Sequence, residues 1–143
     1  EAVKKTSAGL SLSVRYEVLR GSTWQAITTG TTLHSGNRLR QVFTVEADRD
    51  YDFVCLKASR AACLSPVKPL SGYTFTGSLH GYRAVHDATT DIYFEQMRKG
   101  RHTVTEEYFI DRAGNYLCAP SQVSCHYAPE FGAQTERNTL KVN

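Results

Sequence analysis

The sequence predicts an all-β fold, an antiparallel β-sandwich of about seven to nine strands with at most one short helix. Three observations carry that prediction. Apolar residues alternate with polar ones, no segment sustains a 3.6-residue apolar period, and turn-forming clusters return at intervals of roughly 8 to 20 residues. A chain of 143 residues, 41% of them hydrophobic, has the length of one domain and enough apolar side chain for a core. Neither a linker nor an internal repeat divides it.

Taken in order, Leu10, Leu12, Val14, Tyr16 and Val18 alternate with Ser11, Ser13, Arg15 and Glu17, a strand with one wet face. Arg20-Gly21-Ser22 reads as a turn, Trp24 to Ile27 as a short strand, and His34-Ser35-Gly36-Asn37 as a second turn. From Arg38 to Ala47 the set Leu39, Phe43, Val45 and Ala47 holds one face. Gln41 interrupts that set and Val42 is out of phase, which a bulge or a second, partly covered face would explain. The run Phe53-Val54-Cys55-Leu56 within Tyr51 to Lys57 fits a strand covered on both faces. The stretch from Ala58 to Gly81, punctuated by Pro66, Pro69, Gly72 and Gly77, holds at most a helical turn at Ala61 to Leu64 and a short strand at Tyr73 to Phe75. Strands follow at Tyr82 to His86, at Asp91 to Met97 and at His102 to Asp111, where Val104, Tyr108 and Ile110 share a face. After the turn Arg112 to Asn115, Tyr116 to Tyr127 is strand-like and broken by Pro120.

Charge excludes one class of partner. Seventeen Lys and Arg against 14 Asp and Glu give +3, and the basic residues are scattered rather than gathered with aromatics, so a nucleic-acid surface is not expected. No apolar run reaches the roughly 18 residues of a membrane helix, and the start, EAVKKTSAGLSLSV, has no basic segment followed by an unbroken apolar one.

Chemistry-bearing residues are few. Cys55, Cys63, Cys118 and Cys125 allow three disulfide pairings, among which spacing does not choose, and they lack the two-residue knuckle of a zinc ribbon. Asp48, Asp50 and Asp52 alternate as cation ligands on a strand would, but their place at a strand entrance suits turn formers. His86-Asp87 with His80 suggests a base pair or a metal site, against which stands ordinary surface hydrogen bonding. The sequence has no G-x-S-x-G elbow, phosphate loop or H-E-x-x-H, and Cys125-His126 on a strand point to opposite faces. No catalytic residue, metal or cofactor is assigned.

The segment from Gly114 to Phe131 stands apart. A strand that breaks at Pro120, resumes with Val123 and Cys125 inward and ends in His126-Tyr127-Ala128-Pro129-Glu130-Phe131 places two aromatics around a proline. Pro129 fixes its own φ, removes a donor and pushes Ala128 toward extended backbone, so the loop should leave the sheet and present Tyr127 or Phe131 as an apolar contact point for another domain; the alternative is that both aromatics plug the end of the sandwich.

These residues resemble a known family. LSLSVRYEV, SGNRLRQVFTVEADRDYDFVCLK, RAACLSP, GYRAVHDATT, DIYFEQMRKGRHTVTEEYFIDRAGNYLCAP and HYAPEF are similar to the last macroglobulin-like domain of bacterial alpha-2-macroglobulins. The ADRDYDFV run, DRAGNY followed by AP, and the YAPEF ending are the most specific pieces. The resemblance implies a single macroglobulin-like sandwich of immunoglobulin-like architecture over residues 1–143, the C-terminal domain of a large exported protein of the periplasm or cell envelope. It also implies a non-enzymatic role: packing beside the thioester-type domain of a protease-trapping inhibitor through residues 126–131, with target proteases met only through the full-length protein. The thioester pattern C-x-E-Q is absent from this chain. Where related domains carry Met before the Tyr of YAPE, His126 stands here, more polar and able to charge near neutral pH. Readings from other classes are a stand-alone cell-surface module binding glycan through Trp24, Tyr73, Phe75 and Tyr82, and a hydrolase using His86 and Asp87.

Overall fold

The computed structural model describes the backbone of Val3–Lys4 and residues 9–143. Fourteen strands occur among them: β1 (Val3–Lys4), β2 (Leu10–Arg20), β3 (Thr23–Ala26), β4 (Arg38–Ala47), β5 (Tyr51–Ser59), β6 (Leu64–Pro66), β7 (Gly72–Thr76), β8 (Leu79–Val85), β9 (Thr89–Met97), β10 (Gly100–Ile110), β11 (Gly114–Cys118), β12 (Gln122–Cys125), β13 (Ala133–Thr135) and β14 (Asn138–Val142). A single 3₁₀ turn, Pro129–Phe131, lies between β12 and β13. The count exceeds the expected seven to nine because eight of the strands are only two to five residues long. The helical turn expected at Ala61 to Leu64 is instead a tight turn, Leu64 N–H to Ala61 O at 3.0 Å, that delivers the chain into β6.

All pairing is antiparallel. One sheet runs β1-β13-β12-β5-β9-β8-β7, the other β3-β2-β4-β10-β6, and β11 pairs with β14 as a separate ribbon. The inward residues of β2, β4 and β10, among them Leu12, Phe43, Val45, Val104 and Tyr108, pack with Val54, Leu56, Ile92 and Phe94 of β5 and β9 into one core. The alternation that predicted β2 is the one that fills it.

Two polar insertions hold the layers in register. Gln41 lies on the inward face of β4, so the phase of that strand is unbroken and its pairing with both β2 and β10 runs without a bulge. Its amide nitrogen donates to Ser59 O at 2.7 Å and to the Tyr16 hydroxyl at 3.1 Å, while its oxygen accepts from the Tyr108 hydroxyl at 2.5 Å. Cys118 Sγ of the ribbon completes the cluster 3.3 Å from the Tyr16 hydroxyl, and burial drives the pKa of both tyrosines far upward, keeping them neutral. Val42, the out-of-phase residue, sits on the second face and is covered there. The second insertion is Glu106, the fourth inward residue of β10 beside Val104, Tyr108 and Ile110. Arg83 of β8 crosses from the opposite sheet and grips it through two nitrogens, at 2.7 and 2.9 Å. Both side chains are nearly buried, and a bidentate guanidinium–carboxylate pair is the arrangement that tolerates such a place.

Candidate interdomain contact site

The segment singled out for its proline forms a compact loop at one end of the seven-stranded sheet. β12 ends at Cys125, whose thiol points inward and lies 3.2 Å from Asp52 O. The His126 amide still bonds to Phe53 O at 2.8 Å, and then pairing stops, as a proline three residues on requires. Two tight turns follow: Ala128 N–H to Cys125 O at 3.2 Å, then Phe131 N–H to Ala128 O at 3.0 Å. Ala128 has an extended φ of −148° but a ψ of 65°, short of the full extension expected before a proline, because the chain is already curling into the 3₁₀ turn.

Within the loop the two aromatics take opposite roles. Phe131 folds back against the core beside Tyr51, ring centroids 6.3 Å apart, with the Arg49 guanidinium 5.0 Å over its face. Gly9 makes room for it. A Cβ on Gly9 would stand 2.5 Å from Phe131 Cβ, and the φ of +105° at that position is one only glycine takes readily. Tyr127 instead projects outward, 73% exposed, with the His126 ring edge-on at 4.8 Å and Phe53 edge-on at 5.4 Å. His126, Pro129 and Glu130 are exposed as well, and Ala128 is half-buried against the core.

The acidic run explains the anchor. Asp48 accepts from Arg49 at 2.7 and 3.2 Å, from the Tyr51 hydroxyl at 2.5 Å and from the Gly9 amide at 3.1 Å. The Arg49 bonds foremost, with those of Tyr51 and Gly9, hold its carboxyl down at about 2, and burial plus the bond to Asp48 pushes the Tyr51 hydroxyl up to about 12. Asp50 accepts the Lys99 amide at 2.8 Å, tying the connection between β4 and β5 to the one between β9 and β10. Among the described residues no group of three or more His, Cys, Asp or Glu is placed to hold a metal.

The remaining candidates disperse. His86 approaches Asp91 at 3.6 Å rather than Asp87. All four cysteines are free thiols; Cys63, Cys118 and Cys125 are buried, and desolvation pushes half-buried Cys55 up to about 11. Trp24 lies on the five-stranded sheet under the Arg40 guanidinium, 4.4 Å from the ring centre, whereas Tyr73, Phe75 and Tyr82 belong to the seven-stranded sheet, so the four do not form one patch. Phe53, expected under cover on both faces, is 47% exposed, since Asp52 and Phe53 both point outward between inward Tyr51 and Val54. Its φ of 57° is the one positive value among the described non-glycine residues.

Comparison with known proteins fixes the family. The profile of the bacterial alpha-2-macroglobulin MG10 domain matches residues 9–130. In fold the chain is similar to Salmonella alpha-2-macroglobulin reacted with methylamine, with a TM-score of 0.76 at 17% identity over 100% of this chain and 10% of that one. It is similar also to trypsin-activated alpha-2-macroglobulin from Escherichia coli, with a TM-score of 0.70 at 11% identity over 100% of this chain and 11% of that one. The Escherichia coli protein activated by porcine elastase gives 0.72 at 13%, over 100% and 14%. The chain thus spans about a tenth of the length of those proteins, and no curated protein matches it in sequence. No helix among the described residues is long and apolar enough to cross a membrane. A domain-family match over most of the chain, on a sandwich shared end to end with these bacterial proteins, means that the chain belongs to the bacterial alpha-2-macroglobulin MG10 domain family.

Proposed function

We propose that this chain is a non-enzymatic packing domain, the C-terminal domain of an exported periplasmic or cell-envelope protein of the alpha-2-macroglobulin kind. In this reading the 126–131 loop rests against the thioester-type domain of the same polypeptide and helps hold the uncleaved state, and target proteases are met only by the full-length protein. The observation that carries it is the division of labour in the loop: Phe131 is tied into the core so that Tyr127 can stand outward at 73% exposure. Such a ring, held by neighbours and unburied, is the form interface anchors take. The names of the related proteins agree with the reading, since two are described as activated by proteases and one as reacted with methylamine, a small amine nucleophile.

Replacing Tyr127 by Ala tests it. In this chain alone the loss of stability, read by urea denaturation, should stay under about 1.5 kcal/mol, well short of the 3–5 kcal/mol of a truncated core aromatic. In the full-length protein the same change should speed proteolysis and hydrogen exchange around the loop. A loss of about 3 kcal/mol or more in the chain alone would place Tyr127 in the fold's own core and end the proposal.

A further inference from the structure

The outward face of the seven-stranded sheet carries a row of side chains in direct register across five strands: Tyr73, Tyr82, Tyr93, Cys55 and Ser124. Three successive tyrosines on a wet face are unusual in a domain whose other sheet surfaces its outside with ion pairs such as Arg38–Glu107 and Arg40–Glu17. Tyr73 and Tyr82 pack edge to face at 5.2 Å. Beside that row Phe53 and Tyr127 close one end of an open cleft of about 670 Å³, so the row and the 126–131 loop form a continuous surface. Of the residues lining the cleft, Glu95 is the one carboxylate and none is Lys or Arg.

Phe53 joins the two parts. Its left-handed backbone, costly for a bulky side chain, breaks the alternation so that Asp52 and Phe53 both face outward between inward Tyr51 and Val54, and the Phe53 ring stands edge-on against Tyr127. The break in phase serves both faces: it lets Tyr51 enter the core beside Phe131 without sending Asp52 inward, and it leaves the Phe53 ring on the outer face beneath Tyr127.

We propose that the tyrosine row and the loop are one interface, set by Phe53, and that it is covered by an apolar, uncharged surface of a neighbouring domain of the same large protein. This rests on the packing role proposed above and extends it from one loop to a sheet face. The occupant follows from three features: continuity with Tyr127, a cleft lining that is mostly aromatic and apolar and has no Lys or Arg, its polar side chains being Glu95, Ser124, His80 and His126, and family relatives about ten times the length of this chain.

Tyrosine oxidation footprinting distinguishes the outcomes. Tyr82 and Tyr93 should be modified readily in this chain alone and be protected at least about threefold in the full-length protein, as residues at the middle of an interface lose most of their solvent contact. Phe53→Gly, which accepts the positive φ, should leave the chain's melting temperature unchanged or raised and yet reduce protection of Tyr82, Tyr93 and Tyr127 in the full-length protein. Phe53→Asn, also tolerant of that backbone, serves if the glycine variant folds poorly, and Phe53→Tyr should restore protection. Protection of Tyr127 with Tyr82 and Tyr93 as reactive as in the chain alone would overturn this inference and leave the loop contact standing. Protection of none of the three would overturn both. Equal protection of Tyr82 and Tyr93 in the chain alone by millimolar soluble oligosaccharide would make the face a sugar platform and overturn it too.

Discussion

Asp48 draws its donors from Gly9, Arg49 and Tyr51, and through the last two it steadies the ring of Phe131. Its depressed pKa fixes the direction of an acid effect. A carboxylate held at about 2 when folded, against about 3.9 when unfolded, stabilises the fold fully above pH 4, and that contribution disappears as pH falls toward 2. Melting temperature should therefore fall over that window in the native chain and fall less steeply in Asp48→Asn, as thermal scans at pH 5, 4, 3 and 2.5 would record. Gln41 makes a stronger claim. Gln41→Leu fits the apolar face but strands the Tyr108 hydroxyl and leaves Ser59 O and the Tyr16 hydroxyl to the weak Cys118 thiol, so a loss of about 2–3 kcal/mol is expected in urea, at roughly 1–3 kcal/mol for an unsatisfied buried group. From sequence Gln41 looked like an interruption, and Glu106 was not singled out beside Val104, Tyr108 and Ile110. Alternation places a residue on a face, but the partner that makes a buried amide or carboxylate tolerable comes from a strand 18 or 23 residues away. Asp48 was legible at its strand entrance because Arg49 and Tyr51 lie within three residues of it, whereas its bond to the Gly9 amide and that of Asp50 to the Lys99 amide reach across the fold and left no local trace.

Single strands show where periodicity suffices and where it does not. β2 and β4 were visible almost to the residue, since both are long and bury one face. β5 was misread as covered on both sides: four consecutive residues of apolar type hide the phase change at Asp52-Phe53 that turns Phe53 outward, and positive φ at a phenylalanine leaves no compositional trace. β13 and β14 were not read from the sequence: β13 is three residues long, and the alternation of β14 covers only Leu140 and Val142 in five residues; they pair with the edges that β12 and β11 offer. Between sheets, the Arg83–Glu106 pair joins β8 to β10. Arg83→Met should cost about 3–5 kcal/mol by leaving Glu106 buried and unpaired, and adding Glu106→Leu should return most of it. A double-mutant cycle in guanidinium chloride separates this from simple loss of packing, which the second change would deepen rather than repair.

Across the whole molecule, the two last strands close what the earlier ones leave open. Residues 133–143 supply a partner to β12 and to β11 and bury Leu140 and Val142, so their removal forfeits about 3–6 kcal/mol of burial, on the order of the whole stability of a domain. A chain ending at Gly132 should lose its near-ultraviolet circular dichroism and its cooperative denaturation, although the family profile ends at residue 130. The loop that presents Tyr127 was readable from its proline and aromatics; the face beside it was not, because its tyrosines come from strands whose order in the sheet no single sequence displays. Gly9 carries the loop's geometry into the domain's history of variation. A side chain at that position would strike not only Phe131 Cβ but also its carbonyl oxygen at 2.7 Å and its Cα at 2.9 Å, so trimming the phenylalanine does not release the glycine. Only a backbone that takes another path between 126 and 132 does. Among relatives, then, position 9 should be free to drift where that loop has gained or lost residues and fixed as glycine where its length is kept, so that an insertion near the end of the chain is what licenses a substitution near its start.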